Sequence, residues 1–88
     1  MRGEKMEFLL HPRTVVQMAE EVKKACDSYW ARQISEEELK RLVHQWARNE
    51  GDKLLRGDDY NPSVKKIIGK KRLQLVEKMM KGFQVKLK

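Results

Sequence analysis

Apolar residues recur every three or four positions in three separate stretches of this chain, and that spacing constrains the fold more than any other feature. A side chain repeats on one face of an α-helix every 3.6 residues and on one face of a strand every second residue, so the spacing selects helix in all three places. In the first stretch Val15, Met18, Ala19, Val22, Ala25, Cys26 and Tyr29 share a narrow face, with Glu20, Glu21, Lys23, Lys24 and Asp27 on the other. With Thr14 as N-cap, this predicts a helix over 14–31. The second stretch begins at Ser35-Glu36-Glu37-Glu38, where the serine hydroxyl can accept from the Glu38 N–H and the Glu38 carboxylate can reach back, a capping box with three acids at the positive end of the helix. Leu39, Leu42, Val43, Trp46 and Ala47 continue the stripe, and Asn49-Glu50-Gly51 offers a C-cap, so this helix is placed at 35–50. The few residues between the two helices favour an antiparallel hairpin.

Residues 52–60 combine an apolar pair, Leu54-Leu55, with turn-forming Gly57-Asp58-Asp59, and are expected to form a pinned loop. Asn61-Pro62 then opens a third helical segment, 62–82, because proline loses nothing at the first helical position. Its apolar face does not stay in place. Val64, Ile67 and Ile68 point one way, whereas Leu73, Val76, Met79, Met80 and Phe83 centre about 90° away on a 100° wheel. Gly69 sits at the changeover, so either the helix kinks or breaks there, giving 62–68 and 70–81 as a helix-turn-helix-like pair, or a continuous helix wraps two neighbours. Strict alternation in Phe83-Gln84-Val85-Lys86-Leu87-Lys88, echoed by Met6-Glu7-Phe8, suggests short strands at the termini. The expectation is a mainly all-α single domain over 1–88, a small three-helix bundle with its third helix kinked or broken near Gly69 and with 1–13 and 83–88 as peripheral ends.

Three runs, Tyr29-Trp30, Gln33-Ile34-Ser35-Glu36-Glu37-Glu38-Leu39 and Ile68-Gly69-Lys70-Lys71-Arg72-Leu73, resemble those of a family of short uncharacterised bacterial proteins of about this length. The resemblance covers residues 14–82. It implies a bacterial cytoplasmic protein complete at this size, and it brings no established activity and no functional residue.

Chemistry is bounded first by size. A chain of 88 residues builds one modest core and leaves little room for a deep cleft. The one cysteine, Cys26, cannot form an intramolecular disulfide and lies on the apolar face of the first helix, which points to a reducing cytoplasm and a buried thiol. No apolar run reaches the roughly 20 residues of a membrane span, and no signal peptide is visible. His11 and His44 have no Cys or His at ligand spacing, and His44 falls on the polar face of its helix, opposite Leu39 and Trp46, so no metal is expected. Glu36, Glu37 and Glu38 are explained by capping and Asp58-Asp59 by turn chemistry. Phosphate-loop and serine-nucleophile motifs are missing, so no cofactor is expected and no enzyme.

What remains is charge placement. The net charge is +7, yet residues 1–60 hold 11 Lys/Arg against 12 Asp/Glu, whereas residues 61–88 hold 9 against Glu77 alone. Such asymmetry points to an anionic partner, DNA or RNA or an acidic protein surface, although a Lys-rich helix also serves solubility. The candidate contacts are Lys66, Lys70, Lys71, Arg72, Lys78 and Lys81. On a continuous wheel Lys66, Lys70, Lys78 and Lys81 form one stripe, and Lys71 and Arg72 fall near the apolar side, where they must snorkel, pair or line a groove. Arg72 has two readings, a structural ion pair with an acid such as Asp58 or Asp59 and a ligand or phosphate contact. Tyr29 and the tryptophans could stack on bases, but Trp46 lies squarely in an apolar stripe and is assigned to the core. A nucleic-acid-associated or regulatory module is therefore favoured. An interaction module, for example a homodimer burying Met79, Met80 and Phe83, is the alternative.

Overall fold

The computed structural model describes residues 8–81. The order of elements is α1 (Val15–Trp30), α2 (Glu36–Asn49), a single turn α3 (Gly51–Leu54), β1 (Leu55–Arg56), β2 (Asp59–Tyr60) and α4 (Pro62–Met79). The molecule is mainly helical, as the apolar spacing predicts, and the helix starts are where the caps place them. Thr14 is extended and its hydroxyl accepts from the Gln17 N–H at 3.0 Å, while the Gln17 side chain accepts from the Arg13 N–H at 2.8 Å. At α2 both halves of the capping box are made, Glu38 N–H to Ser35 Oγ at 3.1 Å and Ser35 N–H to Glu38 Oε1 at 2.9 Å. Asn61 accepts from the Ser63 N–H at 2.9 Å, with Pro62 at the first helical position.

The end of α1 has a feature that its sequence does not advertise. The N–H of Arg32 bonds the Tyr29 carbonyl and that of Gln33 bonds the Ser28 carbonyl, a Schellman closure, and it requires Arg32 to hold φ at +65°. Glycine is the usual occupant of such a position, because a side chain there costs roughly 1–2 kcal/mol.

The connection after α2 differs from the loop expected there. Within the Asn49-Glu50-Gly51 run it is Glu50 that caps α2, and Gly51 starts the next turn. The stretch expected as a pinned loop is instead α3 followed by a tight antiparallel hairpin, with Leu55 opposite Tyr60 and Arg56 opposite Asp59. Gly57, at φ +63°, takes the first of the two turn positions, where a hairpin turn that matches strand twist needs a positive φ. Strands of two residues are too short to show alternation, so periodicity could not find them. Leu54 is fully buried, as its anchoring role requires.

The core lies chiefly between α1 and α4, the helix pair with the most extensive contact. Met18, Ala19, Val22, Ala25 and Cys26 of α1 meet Val64, Ile68, Leu75, Val76 and Met79 of α4, and α2 adds Leu39, Val43 and Trp46. Trp46 is fully buried with its indole N–H donating to the Leu9 carbonyl at 2.7 Å, so a core assignment is correct and its polar group is satisfied. Leu9 also donates its N–H to Glu21 at 3.0 Å, and Pro12 is buried, so residues 8–12 are tied down across the α1–α2 junction. Met79 is spent on this core, which removes it from the dimer face expected with Met80 and Phe83. The expected terminal strands fall, all but Phe8, outside the described residues.

Of the two explanations for the drifting apolar face, the break is the one realised. Gly69 has φ +85° and ψ 169°, far from helical values, inside an otherwise helical α4. The turn at Gly69 lets Val64 and Ile68 on one arm, and Leu75, Val76 and Met79 on the other, reach the same core.

Candidate nucleic-acid interface

Because Gly69 interrupts α4, each arm has its own wheel. The stripe drawn through Lys66, Lys70, Lys78 and Lys81 assumed one continuous helix, and the structure corrects it: Lys66 lies before the break, Lys70 and Lys78 after it, and Lys81 beyond the last helical residue, Met79. On the second arm alone Lys70, Lys71, Gln74 and Lys78 occupy one arc, about 100° wide and opposite Val76 and Met79. Lys71 thus belongs to the outer face, not to the apolar side where a continuous wheel put it, and it is exposed. Lys66, Lys70, Lys78 and Lys81 are exposed too. None of these five lysines forms an ion pair with another described residue.

The other two cations of α4 are neutralised within the chain. Lys65 Nζ lies 2.7 Å from Asp59 Oδ2, and this contact with the Tyr60 N–H holds the Asp59 carboxyl below its ordinary range. Arg72 is a structural residue of the kind anticipated, but with a different partner. Its Nε and Nη2 grip the two oxygens of Asp27 at 2.9 and 3.1 Å, and its Nη1 donates to the Ile68 carbonyl at 3.0 Å. The Asp58 and Asp59 pairing fails because Asp59 is engaged by Lys65, whereas Asp27 sits on α1 beside the second arm of α4. Arg72 therefore ties that arm to α1 and supplies a donor to the carbonyl immediately before the break. Its charge is paired with Asp27, unlike that of the five lysines. The Asp27 hydrogen bond raises its already high pKa.

Trp30, the last residue of α1, is 47% exposed. It lines two open concavities. One is completed by Lys71, Gln74, Leu75 and Lys78 of α4, the other by Tyr29, Arg32, Gln33, Ile34, Ser35 and Glu36. The half-exposed indole is thus shared by two concavities, one carrying Arg32 with the acid Glu36 and the other Lys71, Gln74 and Lys78. Gln74 was missed in the sequence; the signal was its i+3 and i−4 spacing to the two lysines once the wheel is restarted at Gly69.

A second basic face was also missed. Lys40, Arg41, Gln45 and Arg48 of α2 line an open concavity with Glu37 and His44. His44 is not a free polar-face residue: it is half-buried, and its Nε2 lies 2.8 Å from the Met79 carbonyl, one of the last carbonyls of α4 that no helical N–H can reach. A wheel treats α2 alone and cannot show that a neighbouring helix ends there.

His11 Nδ1 and Lys53 Nζ hold opposite oxygens of Glu50 at 2.9 and 2.7 Å, and these hydrogen bonds lower the Glu50 pKa. Burial pushes the Cys26 thiol up to about 12, which makes it a poor nucleophile. Among the described residues no cluster of three or more His, Cys, Asp or Glu is placed to hold a metal, and no helix is long and apolar enough to cross a membrane.

Together these features define a mainly helical protein with a bent last helix whose outer face carries lysines outside any ion pair among the described residues. The chain belongs to a family described as conserved hypothetical protein, which it matches over residues 9–81. This agrees with the resemblance carried by Tyr29-Trp30, the capping-box run and the Gly69 run. No curated protein and no solved structure matches the chain.

Proposed function

We propose that this is a non-catalytic, cytoplasmic helical module, a three-helix bundle with its third member bent at Gly69, that binds nucleic acid through the outer face of α4. One observation carries the reading: Lys66, Lys70, Lys71, Lys78 and Lys81 are all exposed and outside any ion pair among the described residues, while Lys65 and Arg72 are neutralised internally. Five cations outside these pairs, in a stretch (residues 61–88) whose own acid is Glu77 alone, create a local positive potential that attracts a polyanion and gains from counterion release. An acidic protein surface offers the same sign of charge, but lower charge density and no counterion atmosphere to release.

The test is affinity against salt, read by fluorescence anisotropy of labelled DNA and RNA. If three to five lysines each neutralise a phosphate on duplex DNA, log affinity falls with log salt at a slope of about −3 to −4.5, or roughly 40- to 500-fold between 50 and 200 mM. Replacing Lys70, Lys71, Lys78 and Lys81 by Gln should flatten that slope while leaving the thermal transition in place. Absence of binding to DNA and RNA at low salt overturns the proposal and moves the chain to the protein-interaction class.

A further inference from the structure

We propose that Trp30 stacks on an unpaired base, with Arg32, Lys71 and Lys78 taking the flanking phosphates, so that the preferred ligand is single-stranded nucleic acid. This rests on the nucleic-acid reading above and specifies its substrate class. The two tryptophans differ in exposure. Trp46 is fully buried with its N–H satisfied inside the chain, whereas Trp30 is half-exposed in a molecule that had a core available to cover it. Its two flanking concavities carry Arg32 on one side and Lys71, Gln74 and Lys78 on the other, with no acid in the second.

A flat aromatic face between cations is the arrangement that single-strand binders use, because every base has a π-face and every linkage a phosphate. A duplex keeps its base faces within the stack and has no use for an exposed indole, whereas an unpaired base can leave its neighbours and lie on one. Lys71 and Lys78 are seven residues apart on one helix, about 10 Å along the axis, or roughly three stacked nucleotides at 3.4 Å each. The Gln74 amide lies between them and can donate to or accept from a base edge whatever its identity. Arg32 lines the other Trp30 concavity, at the Schellman closure that ends α1. Trp30 and Leu75 line the same concavity, so a base laid on the indole would also meet an apolar side chain of α4.

The experiment titrates the full chain at low salt with oligothymidylate, oligouridylate, a duplex of equal length and a polyglutamate of equal charge, following tryptophan fluorescence and anisotropy together. The expected result is quenching by both single strands, tighter binding to them than to the duplex, and about 5- to 150-fold weaker single-strand binding by Trp30→Ala. Trp30→Phe, which keeps an aromatic face and much of the covered surface, should retain most of the affinity. A difference between the two single strands assigns DNA or RNA as the source of the base. Binding to duplex and single strand with equal affinity, without quenching and without dependence on Trp30, overturns this inference and leaves the broader nucleic-acid reading standing. Polyglutamate binding as tightly as the oligonucleotides overturns both, as does the absence of any binding.

Discussion

Replacing Gly69 by alanine should destabilise the protein by about 1–3 kcal/mol, even though the new methyl group collides with nothing. A Cβ built on Gly69 meets no atom within 4 Å outside the adjoining backbone, so crowding by other parts of the fold contributes nothing to the cost. The cost comes from the backbone. At φ +85° and ψ 169° the residue occupies a region that is open almost only to glycine, and an L-residue held there loses about 1–3 kcal/mol. One escape is available in principle: alanine is a better helix former than glycine by about 1 kcal/mol, and the break could heal into a continuous α4. Healing would rotate the second arm by roughly the 90° drift of its apolar face and pull Leu75, Val76 and Met79 off α1. Each fully buried side chain of that kind is worth about 1.5–3 kcal/mol, so the gain in propensity is outweighed. It would also break the Arg72 grip on Asp27. Urea and thermal unfolding read the difference, and a loss of about 2 kcal/mol lowers the midpoint of a domain this size by about 8–16 °C. D-alanine at the same position, introduced by chemical synthesis, favours positive φ and should recover most of the stability. If Gly69→Ala is as stable as the parent, the chain is not held in a glycine-only conformation at 69 and the argument for the outer face fails with it.

Arg72→Gln should lower stability by about 1–2 kcal/mol in the same unfolding assays, since a partly exposed ion pair is worth at most about 1 kcal/mol and the bond to the Ile68 carbonyl about as much again. Nucleic-acid affinity should be unchanged once folding is allowed for; a loss of affinity in a folded variant would restore Arg72 to the contact surface. Ser35→Ala should cost about 0.5–2 kcal/mol by removing half of the capping box, again with binding intact. Stability should decline on the alkaline side, because burial raises Cys26 from its ordinary 9.0 and Tyr60 from 10.0 to about 12 each. The unfolded chain releases those protons first, so their contribution is intact below about pH 9 and is lost as pH rises towards 12; Cys26→Ala should shrink the loss between pH 9 and 10, and Cys26 should resist thiol reagents at pH 8 until urea unfolds the chain.

What was legible in the sequence was local. Thr14, the Ser35–Glu38 box and Asn61-Pro62 could be read because a cap and its backbone donor lie within three residues of each other. The two apolar stripes of α1 and α2 were legible for the same reason: burial of one face is written into the spacing of that face. Gly69 was half-legible. The drift of the apolar direction showed that something must turn, but only the fold decides between a break and a wrapped helix, and the placement of Lys71 and Lys66 depended on that decision. The Arg72–Asp27 and His44–Met79 contacts join residues 45 and 35 positions apart, and no pattern along the chain specifies such a meeting. The hairpin at 55–60 escaped because two residues per strand carry no period, and its one signal, Gly57 before two aspartates, reads equally as a turn in a loop. Trp30 was visible as an aromatic, but whether its ring is covered or open is a property of the packed end of α1.

The most direct test of the account is chemical-shift mapping of the isotopically labelled chain titrated with a short oligothymidylate at low salt. The account predicts that the Trp30 indole N–H and the backbone amides of Lys70 to Lys78 move together and saturably, while the Trp46 indole N–H, locked to Leu9, stays in place. Shifts confined to the Lys40, Arg41 and Arg48 face of α2, or an unchanged spectrum, would contradict it.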